Sequence, residues 1–227
     1  MRFHFSVHAD GRGFGVIELA VAIIVLGIAF VLTLKGTTLI APMRAFVVAQ
    51  QINQYRSAVQ HYQVDFRGMP GDDPGAPERF NRPPALFNAG ARPLSLVGDS
   101  KIDGLFDDAG NASGEQYMAW NDLRRAGYIE GDPTLVGPSA RPENIYGGVF
   151  GFAAENLGLQ QVLCLTQVPG TDAELIDKRL DDANIATGRI RATSQWDPVG
   201  RKNNFPEPDA VPYDPEKTYI ICLPNTP

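Results

Sequence analysis

Residues 13–34 read GFGVIELAVAIIVLGIAFVLTL, an apolar run that holds a single carboxylate, Glu18. At ~1.5 Å per residue, a helix over Phe14–Leu34 would be ~31 Å long, about the thickness of the hydrocarbon core of a bilayer. A charge within such a segment is costly, so by default it marks a function and requires a partner. Cleavage after Gly13 would create one, the α-amine of Phe14. The run therefore predicts a transmembrane helix whose first turn has a function.

The chain as a whole has the composition of a folded protein, with 44% hydrophobic and 20% charged residues. Its length of 227 residues leaves room for one apolar anchor and one globular domain. The formal net charge of −6 argues against a nucleic-acid-binding surface, so we expect no nucleic-acid partner.

The two cysteines, Cys164 and Cys222, both lie in the C-terminal half. An even number of cysteines in an exported domain favours one disulfide bond between them. The alternative is a pair of buried free thiols that behave as small hydrophobic side chains.

Three kinds of targeting segment compete for the apolar run: a secretory signal peptide, a plain signal anchor and a prepilin-type signal. A secretory signal has a shorter apolar core followed by a small-x-small cleavage site. The residues after the run, Lys35-Gly36-Thr37-Thr38, lack that pattern. The simple signal peptide is therefore disfavoured, and the residues at the front decide between the other two.

The polar leader ends in Arg12-Gly13, and Phe14, Val16-Ile17, Glu18 and Leu19 follow. This arrangement resembles the signal of type IV prepilins, which has a glycine before the cleavage site, a phenylalanine after it and a glutamate four residues further on. Gly15 stands where threonine is usual, the leader contains Asp10, and the frequent helix-kinking proline is displaced to Pro42. None of these departures affects the glycine–glutamate pair.

The resemblance implies processing at Gly13 and Phe14 and assembly through Glu18. Prepilin peptidase would cut after Gly13 and methylate the new amine. Glu18 would then neutralise the Phe14 amine of a neighbouring subunit as the helices pack into a filament. The implied partners are other pilin-like subunits, prepilin peptidase and the inner-membrane assembly machinery.

Beyond the apolar run, residues 35–66 predict an amphipathic continuation of the helix. Apolar side chains recur at steps of three and four residues, which is the spacing of one helix face. Pro42 is expected to kink or briefly break the helix, because it lacks an N–H and clashes with the preceding turn. The members of this apolar stripe are Val48, Ile52, Tyr55, Val59, Tyr62 and Phe66.

Residues 67–227 predict an exported α+β head. Residues 67–112 are rich in turn-forming residues and indicate a long ordered loop. Ser113-Gly114-Glu115-Gln116 has the pattern of a capping box that opens a helix ending near Ala126, and a second helix starts at Thr171. Four strand-like segments complete an antiparallel sheet on the long helix, at Gly148–Ala153, Gln161–Thr166, Gly188–Thr193 and Thr218–Leu223. Pieces such as Met69-Pro70-Gly71-Asp72 also resemble a group of pilin-like proteins.

The acidic stretch Gly98–Asp108 has some of the spacing of a calcium-binding loop. Asp99, Asp103 and Asp107 fall at EF-hand positions, but Lys101 and Gly110 stand where oxygen ligands belong, so the EF-hand pattern fails. A looser calcium site remains, with Asp99, Asp103, Asp107 and Asp108 as ligands, joined by Glu115. The alternative is a set of solvated acidic turns.

We expect no enzyme. His4 and His8 lie in the leader, so His61 alone would survive processing, and one histidine does not build the usual zinc hydrolase site. To act as a nucleophile, Cys164 would need His61 as its base, whereas a disulfide bond with Cys222 accounts for this cysteine more simply. A carboxylate-pair hydrolase is the remaining catalytic alternative.

The chain thus divides into a leader (1–13), a transmembrane or filament-core helix (14–34), its amphipathic continuation (35–66) and the head (67–227). The predicted function is that of a type IV pilin-like subunit, held in the inner membrane as a precursor with a periplasmic head and then assembled into a periplasmic or extracellular filament. The alternatives are a type II secretion pseudopilin and a membrane-tethered binding module that does not polymerise.

Overall fold

The computed structural model describes residues 15–36, 40–82, 98–107, 112–195, 208–210 and 212–226, with the backbone alone for residues 31–36 and 40. The chain divides into two units, Met1–Ala41 and Pro42–Pro227. The predicted cleavage site, Gly13 and Phe14, lies outside the described residues.

The first unit contains helix α1, Val16–Gly36, within the apolar run. Glu18, Leu19 and Ala20 are good helix formers, and no proline interrupts the run. Within the described part of the chain, no helix has the length and apolarity needed to cross a membrane. The predicted transmembrane span is therefore not confirmed, whereas the helix itself is present.

The long helix of the second unit is α2, Ile40–Phe66. Pro42 lies in its first turn. The N–H groups of a first turn have no intrahelical acceptor, so the N–H that proline lacks costs no hydrogen bond there. The predicted apolar stripe is buried at Val48, Ile52, Tyr55, Val59 and Tyr62 and half-buried at Phe66. This face of α2 packs into the hydrophobic core of the head.

The head contains a four-stranded antiparallel sheet in the order β1-β2-β4-β3. Leu157 and Gly158 connect β1 to β2, and both have positive φ, as the type I′ hairpin turn requires. The four predicted strands are confirmed with shifted ends. Their bounds are β1, Phe150–Asn156; β2, Leu159–Pro169; β3, Arg191–Thr193; and β4, Thr218–Pro224.

Alternate residues of the strands face two separate apolar layers. Phe150 and Phe152 of β1 point to the core shared with α2 and with Trp120, while Gly151 and Ala153 face the other side. Trp120 stacks on Phe152 with ring centroids 4.3 Å apart. Such aromatic contacts contribute about 0.5–1.5 kcal/mol beyond the effect of the buried area.

The opposite face of the sheet carries the predicted disulfide bond, which is confirmed. Cys164 of β2 and Cys222 of β4 are directly paired across the ladder and fully buried. Phe106 packs over this face and comes so close to Gly151 that a Cβ there would lie 2.6 Å from its ring. The strand therefore needs a glycine at position 151.

The described part of the head also contains the α-helices α3, Ala76–Phe80; α4, Glu115–Arg125; and α5, Gly170–Leu180; and a 3-10 helix, Gly137–Ala140. Helices α4 and α5 pack against the sheet, and α3 lies against α4. The interpretation of residues 67–112 as loop missed α3, and the predicted capping box is wrong. Gly114, not Ser113, is the N-cap of α4, and no side chain caps it. Gly127, with φ +80°, ends α4 in a Schellman motif through the bonds Gly127 N–H to Arg124 and Tyr128 N–H to Leu123.

Candidate functional site

The first turn of α1 holds the carboxylate that the sequence singled out. Oε2 of Glu18 accepts a hydrogen bond from the backbone N–H of Gly15 at 2.9 Å, and the pair is exposed. A carboxylate is favoured here by the positive end of the helix dipole, and it satisfies one of the unpaired N–H groups of the helix start.

The surface of α1 is apolar and exposed on every side. All side chains from Gly15 to Phe30 are exposed, and Val16 and Ile17 reach 86% and 79%. A helix that is apolar all round is normally buried, in a large core, a helix bundle or a membrane. An exposed patch of this extent indicates a surface that another molecule covers.

The structure does not gather the predicted calcium ligands into one site among the residues it describes. Asp99 is exposed, Asp103 is buried and Asp107 forms an ion pair with Arg141 at 3.5 Å. Asp108 lies outside the described residues. The calcium site at Asp99, Asp103, Asp107 and Asp108 therefore stays a prediction.

In the described part of the chain, the carboxylates that converge closely enough to hold a cation are those of Asp177, Asp181 and Asp182, at the end of α5. Each of them also accepts hydrogen bonds from the turn that follows the helix. Tyr213 donates its hydroxyl to Asp177 at 2.8 Å, and Ile190 donates its N–H to Asp181 at 2.9 Å. Burial, together with the charges of the other two carboxylates, raises the pKa of Asp177 to about 6.

The N–H groups of the turn bond to Asp181 and Asp182, so these two carboxylates hold the turn that follows α5. The sequence motifs described above did not identify Asp177, Asp181 and Asp182 as a group. The signal was present in the spacing, because residues four apart at a helix end lie on one face.

A second acidic group, also missed as a pair, lies inside the head. Asp72 and Glu115 are each 1% exposed, and the charge of Asp72 acts on the carboxyl group of Glu115. Burial raises the pKa of Glu115 to about 9, aided by the charges of Asp72 and Asp103 and opposed by the N–H that Asp103 donates. Burial likewise raises the pKa of Asp72, against the lowering effect of N–H groups from Gly98 and Ser100.

Cys164 and His61 are the side chains considered above as a possible nucleophile and base, and they lie in different parts of the head. Cys164 is in the disulfide bond and is not available as a thiolate. His61 is exposed on α2 and stacks on Tyr128, with ring centroids 6.0 Å apart. Tyr128 in turn donates its hydroxyl to Asp65.

Two features therefore stand out as candidate functional sites: the exposed apolar helix with Glu18 in its first turn, and the buried carboxyl pair of the head. The first matches a sequence prediction and the second does not. No protein-family model, curated protein or solved structure matches this chain.

Proposed function

We propose that this protein is a type IV pilin-like structural subunit, cut after Gly13 and assembled into a filament through α1. The observation that carries the proposal is the helix itself. It exposes apolar side chains on all sides over Gly15–Phe30 and has one carboxylate, in its first turn. When copies of the helix pack together, the apolar side chains become buried and the carboxylate can pair with the amine of a neighbouring copy.

The apolar surface keeps the helix out of water before and after assembly. Fully burying a valine, leucine, isoleucine or phenylalanine side chain contributes about 1.5–3 kcal/mol relative to water, so a helix that leaves the bilayer must bury these side chains against other helices, and their close packing supplies the gain. Ile23, Ile24, Leu26 and Phe30 are each more than half exposed, so a helix bundle has a large area to bury. Because this surface surrounds the helix, several neighbouring copies can contact it at once.

Glu18 supplies the register of the packed helices. In the single chain its carboxylate accepts the N–H of Gly15, so the side chain already points along the start of the helix. After cleavage, the Phe14 amine of a neighbouring copy is the cation that this carboxylate pairs with. Removing one partner of a buried pair leaves an uncompensated charge, which typically costs about 3–5 kcal/mol.

The precursor in this proposal is held in the inner membrane by residues 14–34, with residues 1–13 in the cytoplasm and the head in the periplasm. The buried disulfide bond of the head supports an oxidising compartment. The same parts serve a pseudopilin of a type II secretion system. Extracellular fibres that contain the protein would favour a pilus, and a periplasmic location with a secretion defect would favour a pseudopilin.

Mass spectrometry of the mature N-terminus tests the proposal. We expect the mature chain to begin at Phe14 with a methylated amine. An intact Met1, or any other start, would contradict it and favour a membrane-tethered module that does not polymerise.

Replacement of the carboxylate tests the assembly step separately. Because a buried amine would be left unpaired, Glu18→Ala is expected to lower incorporation into filaments at least a hundredfold at equal expression, measured by immunoblot of sheared filaments. The matched control is Glu174→Ala, which removes an exposed helical glutamate of α5. Normal incorporation of Glu18→Ala would contradict the register role.

A further inference from the structure

The segment Gly98–Asp107, which we call the strap, passes over the face of the sheet that carries the disulfide bond. The strap belongs to no helix or strand. Near its end, the ring of Phe106 lies over Gly151, and the residue paired with Gly151 across the β1–β2 ladder is Cys164. Phe106 and both cysteines are buried in one apolar cluster on this face. Phe106 therefore forms part of the cover of the two sulfur atoms.

The strap is held mainly by side chains. Asp72 accepts backbone N–H groups near its start. The amide of Gln161 bonds to both the N–H and the carbonyl oxygen of Ile102, at 2.7 and 3.1 Å. A backbone bond of 2.9 Å from Ala154 to the carbonyl oxygen of Gly104 joins the strap to β1. A segment that lacks a regular backbone ladder opens at a lower free energy than the strands beneath it.

Arg141, which lies outside the strap, fastens its end. The guanidinium carbon of Arg141 is 5.2 Å from the ring centroid of Phe106, and the same group donates to the carbonyl oxygen of Phe106 at 3.1 Å. Arg141 also forms an ion pair with Asp107 at 3.5 Å. A cation over an aromatic face attracts the ring, and this attraction grows where water is excluded. Loss of Arg141 should therefore favour the open strap without changing the strap or the sheet.

A second cover of the disulfide bond is the side chain of Arg191 in β3. Arg191 is paired with Cys222 across the β3–β4 ladder. Its guanidinium donates to the carbonyl oxygens of Leu157 and Gly158, at 3.1 and 3.2 Å, so the side chain extends to the turn between β1 and β2. A single strand side chain can move without the opening of a segment. Arg191 is therefore the competing route of access to the sulfur atoms.

The chemistry of a disulfide bond requires contact with its sulfur atoms. In reduction, a thiolate attacks one sulfur, a new S–S bond forms as the old one breaks, and the other sulfur leaves as a thiolate. In oxidation, one cysteine thiolate attacks the disulfide of an oxidant, and the second thiolate then displaces the sulfur of the oxidant. The oxidant takes up two electrons and leaves as a dithiol. Cys164 and Cys222 have no exposed surface, so neither reagent reaches them in the closed head.

We propose that the strap controls access to the disulfide bond. A disulfide-containing oxidant acts on the two thiols before the strap docks, and after docking the bond exchanges only when the strap opens. Because oxidation and reduction follow the same path in opposite directions, one opening step governs both. The proposal does not depend on the filament function, and it places thiol oxidation before the last folding step of the head.

The rate at which the folded head is reduced tests the proposal. The purified full chain in detergent is incubated with dithiothreitol in the absence of denaturant, and the new thiols are counted by alkylation and mass spectrometry. Phe106→Ala and Arg141→Ala are expected to raise the rate of reduction at least about tenfold, because both favour the open strap.

The matched control is Ile52→Ala. Ile52 is fully buried in the core on the other face of the sheet, so its truncation destabilises the whole head and leaves the strap in place. Its rate of reduction should equal that of the wild type if exchange requires opening of the strap alone. If Phe106→Ala does not fold, Arg141→Ala decides, because it changes neither the strap nor the sheet.

Four results would overturn the proposal. The first is reduction of the wild type as fast as that of an exposed disulfide, and the second is an unchanged rate in Arg141→Ala. The third is equal acceleration by Ile52→Ala, because exchange would then require unfolding of the whole head. The fourth is a larger acceleration by Arg191→Ala than by either strap variant, because access would then depend on one strand side chain.

Discussion

The helices α1 and α2 are both long, with 21 and 27 residues, but they present their apolar side chains in opposite ways. In α1 the side chains from Gly15 to Phe30 are all exposed. In α2 one stripe is buried in the head, and Val48, Ile52 and Val59 have no exposed surface.

The two helices differ in what covers their apolar side chains. The stripe of α2 is covered by its own chain: the rings of Trp120 in α4 and Phe150 in β1 have centroids 5.1 and 5.0 Å from that of Tyr55. The exposed apolar surface of α1 is of the kind that another molecule normally covers. Substitutions in the head should therefore change folding, and substitutions in α1 should change assembly.

Loss of the disulfide bond is expected to have the largest effect on the head. Cys164 and Cys222 are 58 residues apart, and closing a loop of that size stabilises by about 4 kcal/mol in the chain-entropy model. Chemical denaturation of the Cys164→Ala/Cys222→Ala variant should show this loss. Reductant should lower the stability of the wild type and leave the variant unchanged, and equal stability of the two proteins would contradict the prediction.

Truncation of a side chain in the buried stripe of α2 should have the next largest effect on the stability of the head. Ile52→Ala removes a fully buried side chain and leaves a cavity, which costs about 2–5 kcal/mol in the free energy of unfolding. The measurement is chemical denaturation followed by circular dichroism. A loss below 0.5 kcal/mol, typical of exposed positions, would show that α2 does not pack on the head as described.

Gly71→Ala should have a smaller effect, located where the loop before α3 meets α4. Gly71 has φ +89°, and a Cβ there would lie 2.4 Å from the carbonyl oxygen of Glu115. We expect a loss of about 1–3 kcal/mol from backbone strain and from the enforced separation.

The control for Gly71→Ala is Gly147→Ala. Gly147 also has positive φ, at +80°, but nothing lies within 4 Å of its Cβ position. It therefore reports the backbone strain alone. Equal losses for the two variants, in the same denaturation measurement, would contradict the close approach at Gly71.

Ile24→Ala in α1 should have the smallest effect on the head and a large effect on assembly. Ile24 is 61% exposed, so its truncation is expected to change the unfolding free energy of the head by less than about 0.5 kcal/mol. Incorporation into filaments should fall, because a neighbouring helix loses apolar area to bury. Destabilisation of the head by Ile24→Ala would contradict the prediction, because it would show that this side chain of α1 contributes to folding of the head.

Local patterns in the sequence predicted much of the fold. The apolar run predicted the helix found as α1, the spacing from Val48 to Phe66 predicted the buried stripe of α2, and the four strands were located to within a few residues. The disulfide bond followed from the number and placement of the cysteines. These features depend on neighbours close in the sequence, or on composition.

The missed features depend on residues that are far apart in the chain. Ser113 and Gln116 match a capping box, but α4 begins one residue later: Gly114 is its N-cap, and Glu115 in its first turn accepts the N–H of Asp103 from another segment. A capping pattern states which residues can bond locally and not which distant group competes for them. The convergence of Asp177 with Asp181 and Asp182 is the exception, because these residues are close in the chain and their spacing alone could have indicated it.

The sequence by itself determined the long helices, the four strands, the cysteine pair and the residues of the predicted processing signal, because periodicity and residue type carry that information; it did not give the short helix α3. Tertiary structure alone decided that Asp72 and Glu115 meet. They lie on segments 43 residues apart in the chain, and only packing removes both carboxyl groups from water. Burial then sets their protonation, and no local pattern encodes burial of that kind.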